Sequence, residues 1–182
     1  MVSICFCIYK SFDIVNKAQN RVHILYNGKV LEAIASDRKI NLPVELRDHI
    51  KTFHQYFFDL SPDDKAIQAN VTKALYLADI SAKKQYDNLR ESGYYNNLIS
   101  ANISQEITVD SIRLNVNSYP YQFTCFATEK LVRTSNTITR KLITRGQVRD
   151  IETQSDNNPH GFLIEDWEIL ENNDEQANSS MP

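Results

Sequence analysis

Beyond Pro43 the period of the apolar residues changes once, and that change sets the fold class. From Pro43 to Ile99 they recur three and four positions apart; from Ser104 to Ile169 they recur at every second position. The first spacing lines one face of a helix, the second one face of a strand. A parallel sheet needs crossover helices interleaved between its strands. Helices first and strands afterwards predict an α+β fold with an antiparallel sheet.

Pro43 suits a first helical turn, and Leu46, Ile50, Phe53, Phe57 and Leu60 follow as one apolar face. Ser61-Pro62-Asp63-Asp64 predicts a second start, with Ser61 as cap, Pro62 at the first helical position and Asp64 closing a capping box. Its buried stripe is Ile67, Val71, Ala74, Leu75 and Ala78. Ser81 is predicted to cap a third helix carrying Tyr86 and Leu89, which Gly93 ends. Tyr94 to Ile99 reads as one further short turn of helix. Ahead of these helices, Arg21 to Ala35 reads as a hairpin. Val22, Ile24 and Tyr26 alternate, Asn27-Gly28 supplies the turn, and Val30, Glu32 and Ile34 return.

Among the strands, Ile107 and Val109 alternate, whereas Ile112, Leu114 and Val116 do so one residue out of phase. That slip predicts a bulge near Asp110-Ser111. Tyr119-Pro120 marks a turn. Tyr121, Phe123, Cys125 and Ala127 share a face, and Thr137 to Arg149 forms a strand with one polar side. Phe162 and Ile164, then Trp167 and Ile169, form the last strand, again slipping phase at Glu165-Asp166. Bulges bend strands, so the sheet is expected to curve over the helices.

A chain of 182 residues accommodates one domain with extensions. Its net charge of −3 selects no polyanionic partner. Cys5, Cys7 and Cys125 are odd in number and fit neither a disulfide framework nor a zinc spacing. Cys125 reads as a small buried hydrophobe. Met1 to Tyr9 is an apolar run, too short for a membrane helix, which needs about 20 residues. It lacks the basic leader of a signal peptide. We read residues 1–20 as an arm continuing the outer half of a membrane helix; the alternative is a buried strand or helix of a soluble protein. Residues 173–182 are expected to form a flexible acidic tail, beginning in composition at 171.

No phosphate-cradling glycine loop, dinucleotide fingerprint, zinc-protease helix or nucleophile elbow is present. Around His49 and His54 no Asp, Glu or Cys completes a metal-ligand set at helical spacing, and both read as solvated or core-edge residues. We therefore expect no catalytic residue, no metal and no cofactor. Residues 128–150 carry Lys130, Arg133, Arg140, Lys141, Arg145 and Arg149, while residues 165–176 carry Glu165, Asp166, Glu168, Glu171, Asp174 and Glu175. On neighbouring strands these charges pair across the sheet. A nucleic-acid groove would interleave aromatics, which this basic segment lacks.

Just ahead of the last strand stands Ser155-Asp156-Asn157-Asn158-Pro159-His160-Gly161. Proline presets φ, glycine permits positive φ, and Asn and Asp bond their own backbone, so the loop is built to be rigid. It serves either as a plain connection or as a fixed surface shown to a partner. The turn residues Asn157, Asn158, Pro159 and Gly161 are the candidate contact site.

Several separated runs carry a family resemblance. They are Asn27-Gly28-Lys29, Phe57 to Asp63, Lys73 to Asp79, Gly93 to Asn96, Ser118 to Tyr121, and Ser155 to Phe162. In this order, over roughly residues 12 to 172, they resemble the TraK family of conjugative-transposon transfer proteins. That family is similar, more distantly, to the bitopic inner-membrane assembly subunit of type IV secretion systems. There an Asn-Pro-x-Gly motif precedes the last strand, and Asn158, Pro159 and Gly161 match it. The resemblance implies a nuclear-transport-factor-like cone over residues 21–172, an N-terminal membrane helix and a periplasmic location. It also implies a scaffold that self-associates and contacts other channel subunits, without catalysis, cofactor or direct nucleic-acid contact.

Two other classes stay open on the sequence. Cone-shaped α+β domains also house isomerases and hydrolases, for which His54 and Asp110 are the nearest candidates. Direct DNA contact by residues 128–150 is the other.

Overall fold

The computed structural model describes the backbone of residues 21–26, 29–34 and 38–174 and the side chains of residues 41–174. The chain forms two compact units, Met1–Pro43 and Val44–Pro182. In the first, β1 (Arg21–Tyr26) and β2 (Lys29–Ile34) pair antiparallel, with Tyr26 opposite Lys29. That register leaves the two residues Asn27 and Gly28 for the connection, as the hairpin reading requires. The expected membrane arm at residues 1–20 lies outside the described residues, as do residues 175–182 of the expected tail. No described helix is long and apolar enough to cross a membrane.

The second unit takes in most of α1 (Arg38–Phe58), then α2 (Asp64–Leu75), α3 (Ile80–Glu91) and α4 (Tyr94–Ser100). Four long strands follow: β3 (Ser104–Asn115), β4 (Tyr121–Val132), β5 (Thr137–Asp150) and β6 (Phe162–Asp174). They form one sheet in the order β3-β4-β5-β6, every neighbour antiparallel. This is the α+β, nuclear-transport-factor-like arrangement, helices against a bent antiparallel sheet. β6 runs to Asp174, so the first part of the acidic stretch is strand rather than tail: Arg140 pairs with Asp174 and Ile143 with Glu171.

Three helix starts differ from expectation. α1 begins at Arg38, which puts Pro43 inside the helix. The proline removes one intrahelical bond close to an end, where such bonds are fewest. α2 is capped by Asp63, whose carboxylate accepts from Ala66 N at 2.8 Å, rather than by Ser61. α3 is capped by Asp79, whose Oδ1 accepts from Ser81 N at 2.8 Å. A carboxylate at a helix start adds charge complementarity that a hydroxyl lacks. Ser81 Oγ instead accepts from Trp167 N at 2.8 Å and so ties α3 to β6. Gly93 does end α3, in the left-handed region at φ 78°.

The apolar face of α1 fills the hollow of the sheet. Leu46, Ile50, Phe53 and Phe57 are sealed from solvent. Trp167 of β6 stands edge-on to Phe53 and Phe57, ring centroids 5.0 and 4.8 Å away. Ile67, Val71 and Ala74 of α2 are buried, but Leu75 is only half-buried because the chain leaves the helix next to it; Leu77 and Ala78 take its place. Cys125 is buried as expected, and burial pushes its thiol up to about 12.

Both predicted bulges are present. The β3–β4 register shifts between Val109 and Ser111, and the β5–β6 register shifts between Arg145 and Gln147, where Asp166 has φ 51°. The expected charge pairing across β5 and β6 forms. On the outer face Arg149 pairs with Glu165, Arg145 with Glu168 and Lys141 with Glu171 at 3.2 Å; Arg140, on the other face opposite Glu129, pairs with Asp174 at 2.5 Å.

Candidate functional site

Between β5 and β6 the chain folds back on itself through residues 151–161, and Asn158 holds that loop. Ser155 and Asn158 exchange backbone hydrogen bonds, Ser155 N to Asn158 O at 3.2 Å and Asn158 N to Ser155 O at 2.9 Å. The Asn158 side chain is buried. It donates to Phe162 O at 2.7 Å and Tyr76 O at 3.4 Å, and accepts from Gly161 N at 3.2 Å. One amide thus links the loop, the first residue of β6 and the end of α2. Gly161 has φ 68°, and a Cβ there would also lie 2.9 Å from Gln154 Cγ. Only glycine meets both conditions without strain.

The loop's outward side faces α1. His160 donates from Nε2 to Asp48 Oδ2 at 2.9 Å, and its ring stacks on Phe162. Asp48, Thr52 and Tyr56 succeed one another at four-residue steps, so they share one side of the helix. Together with Lys73, His49 and the loop they line a cavity of about 410 Å³. Lys73 Nζ stands 5.5 Å from the centre of the Tyr56 ring.

Of the predicted site residues, Asn157 is exposed and lines this cavity with Pro159, while Asn158 and Gly161 are interior and shape the loop. Asp48, Thr52, Tyr56 and Lys73 were not singled out in the sequence as site residues, His49 was read only as a solvated or core-edge residue, and His160 only as part of the turn. The four-residue polar repeat on α1, beside its apolar stripe, was the signal available for Asp48 and Thr52.

Both histidines of α1 are fully buried, which corrects the solvated or core-edge expectation. Both ring nitrogens of His54 find partners that suit a neutral ring, whereas His49 has one partner only. His54 Nδ1 donates to Ile50 O at 2.7 Å, which leaves Nε2 to accept from Thr144 Oγ1 at 2.7 Å. His49 Nε2 lies 3.3 Å from Leu77 O. Burial pulls both rings down to about 4.

The alternative catalytic pair is not brought together. His54 is sealed in the core, while Asp110 is exposed and accepts from Thr128 Oγ1 at 2.8 Å. A second cavity of about 520 Å³, open on the outer side of the sheet between Arg113, Gln122 and Arg145, contains neither. Among the described residues no group of three His, Cys, Asp or Glu could hold a metal ion.

No family model and no curated protein matches the chain. Solved structures do match its fold. The soluble domain of TrwG from the type IV secretion machinery of Bartonella grahamii superposes with TM-score 0.57 at 17% identity, covering 71% of this chain and 94% of that one. A periplasmic fragment of TraM gives TM-score 0.58 at 9% identity, with 72% and 98% covered. An IcmL-like type IV secretion system protein of Legionella pneumophila gives 0.58 at 9%, with 75% and 94% covered. At these identities the shared property is the fold.

Proposed function

We propose that this chain is a structural, non-catalytic assembly subunit of a conjugative, type IV secretion-like DNA-transfer apparatus, of the TraK kind. The observation that carries the reading is that its fold spans nearly the whole length, 94–98%, of three solved domains described as secretion-machinery, TraM or type IV secretion proteins. A core filled by side chains, with His54 neutral and sealed, gives no support to a catalytic cone. In this reading residues 1–20 form an arm toward the inner membrane, the domain through the end of β6 acts on the periplasmic side, and the acidic residues after Asp174 trail as a tail. The chain scaffolds by contacting other channel subunits and copies of itself, through a surface that includes Asn157, Pro159 and the loop held by Asn158 and Gly161.

The test is transfer of the mobile element from donor cells lacking the gene. Transfer should be lost, restored by the wild-type gene, and not restored by Gly161→Val at an equal level of soluble protein. Wild-type transfer from the deletion strain would overturn the reading. Wild-type transfer with Gly161→Val would remove the loop from it.

A further inference from the structure

The cavity between α1, the end of α2 and the 155–161 loop carries an acceptor without a donor. His49 lines it and is fully buried. Its Nε2 must carry the proton, because the atom it faces is the Leu77 carbonyl. In the neutral ring Nδ1 is then a bare lone pair, and that atom is buried with no hydrogen-bond partner. Such an atom is unusual in a folded chain and marks a place where a donor belongs.

The carboxylates around it point to the same chemistry. Asp156 lines the cavity from the loop side, is exposed, and makes no ion pair among the described residues. Asp48 faces it from α1; His160 occupies part of one oxygen, and a carboxylate accepts at about four lone-pair sites. The one lysine in the lining, Lys73, stands over the Tyr56 ring and pairs with neither aspartate, while His160 bonds one oxygen of Asp48. Tyr56 and Thr52 add polar oxygens. An acceptor nitrogen and two carboxylates suit a guanidinium or ammonium better than an anion or an apolar group.

We infer that this cavity binds a basic side chain, arginine or lysine, presented by a protein partner. The inference rests on the reading of the loop as a contact surface and names what that surface takes. The loop is already tied by Asn158 and Gly161, so the site is formed before the partner arrives and binding orders little of the chain.

The test uses the full 182-residue chain, isotope-labelled, titrated with N-acetyl-arginine amide and, separately, with the uncharged N-acetyl-citrulline amide. A ligand of this size is expected to bind in the millimolar range. The arginine compound should shift the amide signals of Asp48, Thr52, Asn157 and His160 and the Nδ1 signal of His49; the citrulline compound should not. Asp156→Asn and Asp48→Asn, both at exposed positions, should each weaken binding about fivefold or more with the rest of the amide spectrum unchanged. Equal response to the two compounds, or unchanged affinity in both variants, would overturn the inference. If the probe fails while Gly161→Val still abolishes transfer, the inference falls and the assembly reading stands. If the probe binds as expected while Asp156→Asn and Gly161→Val both transfer normally, the site stands and the contact reading falls.

Discussion

Asn158 concentrates in one side chain what holds the loop to the body of the fold. Asn158→Ala removes its side-chain bonds to Phe162, Tyr76 and Gly161, and Gly161 N keeps only the long 3.4 Å bond to the backbone carbonyl of residue 158. A loss of about 2–4 kcal/mol is expected in urea unfolding, against about 1 kcal/mol for an ordinary exposed bond. Three buried titratable groups set the pH dependence. His49 and His54 are held near 4 by burial, below the ordinary value of 6.5, so the unfolded chain binds more protons than the native one between those values. Their contribution is complete above pH 6.5 and is lost as pH falls toward 4, by about 3 kcal/mol apiece. Glu129 works in the opposite sense. Burial raises it to about 7 against the opposing charge of Arg140, so its contribution is complete below pH 4.5 and fades as pH rises through 7. Two groups outweigh one. Urea midpoints should therefore fall between pH 6.5 and 4.5, and His54→Gln should flatten that slope. A midpoint independent of pH across the window would contradict the assignment.

Secondary elements were legible where geometry is local. A bulge must shift the phase of alternation, so Asp110-Ser111 and Glu165-Asp166 announced themselves in the order of residues. The helix caps were less so, because Ser61-Pro62-Asp63-Asp64 offers several oxygens and only the backbone path decides which one reaches Ala66 N. Histidine burial was not legible at all: the oxygens opposite His49 and His54 come from residues 28 and 90 positions away. The cavity is hidden for the same reason, since α1 and the loop that make it are more than a hundred residues apart. The β6 bulge yields a prediction of its own. It carries the Glu165 carbonyl over Gly146, where a Cβ would lie 3.1 Å from that oxygen and 3.0 Å from Phe123 Cε1. Gly146→Ala should cost about 1–3 kcal/mol despite the good strand position, read as a lower unfolding midpoint. Trp167→Ala, at the other side of the bulge, should cost about 3–5 kcal/mol because it empties the space between Phe53 and Phe57.

For the molecule as a whole, the basic strand β5 is matched by the acidic strand β6, and the four pairs lie at the surface. Exposed pairs are worth about 0–1 kcal/mol each and are screened by salt. Raising sodium chloride from 0.05 to about 1 M should shift stability by no more than about 2 kcal/mol. The same neutralisation argues against a DNA groove: retention on DNA should stay weak at low salt, without the steep decline that displaced counterions produce. Tight binding with such a decline would restore the DNA alternative. The two margins of the sheet show a further property. Leu60 exchanges hydrogen bonds with Gln105 on β3, and the segment after α2 bonds Ile164 on β6 through Leu77 O and Asp79 N. Each margin is thus stapled at one point by a linker between helices. An incoming strand cannot slide past these staples, so any chain that lengthens the sheet must start beyond them. Its alignment would be dictated before it docks, and open-ended fibre growth would meet a stop at both sides.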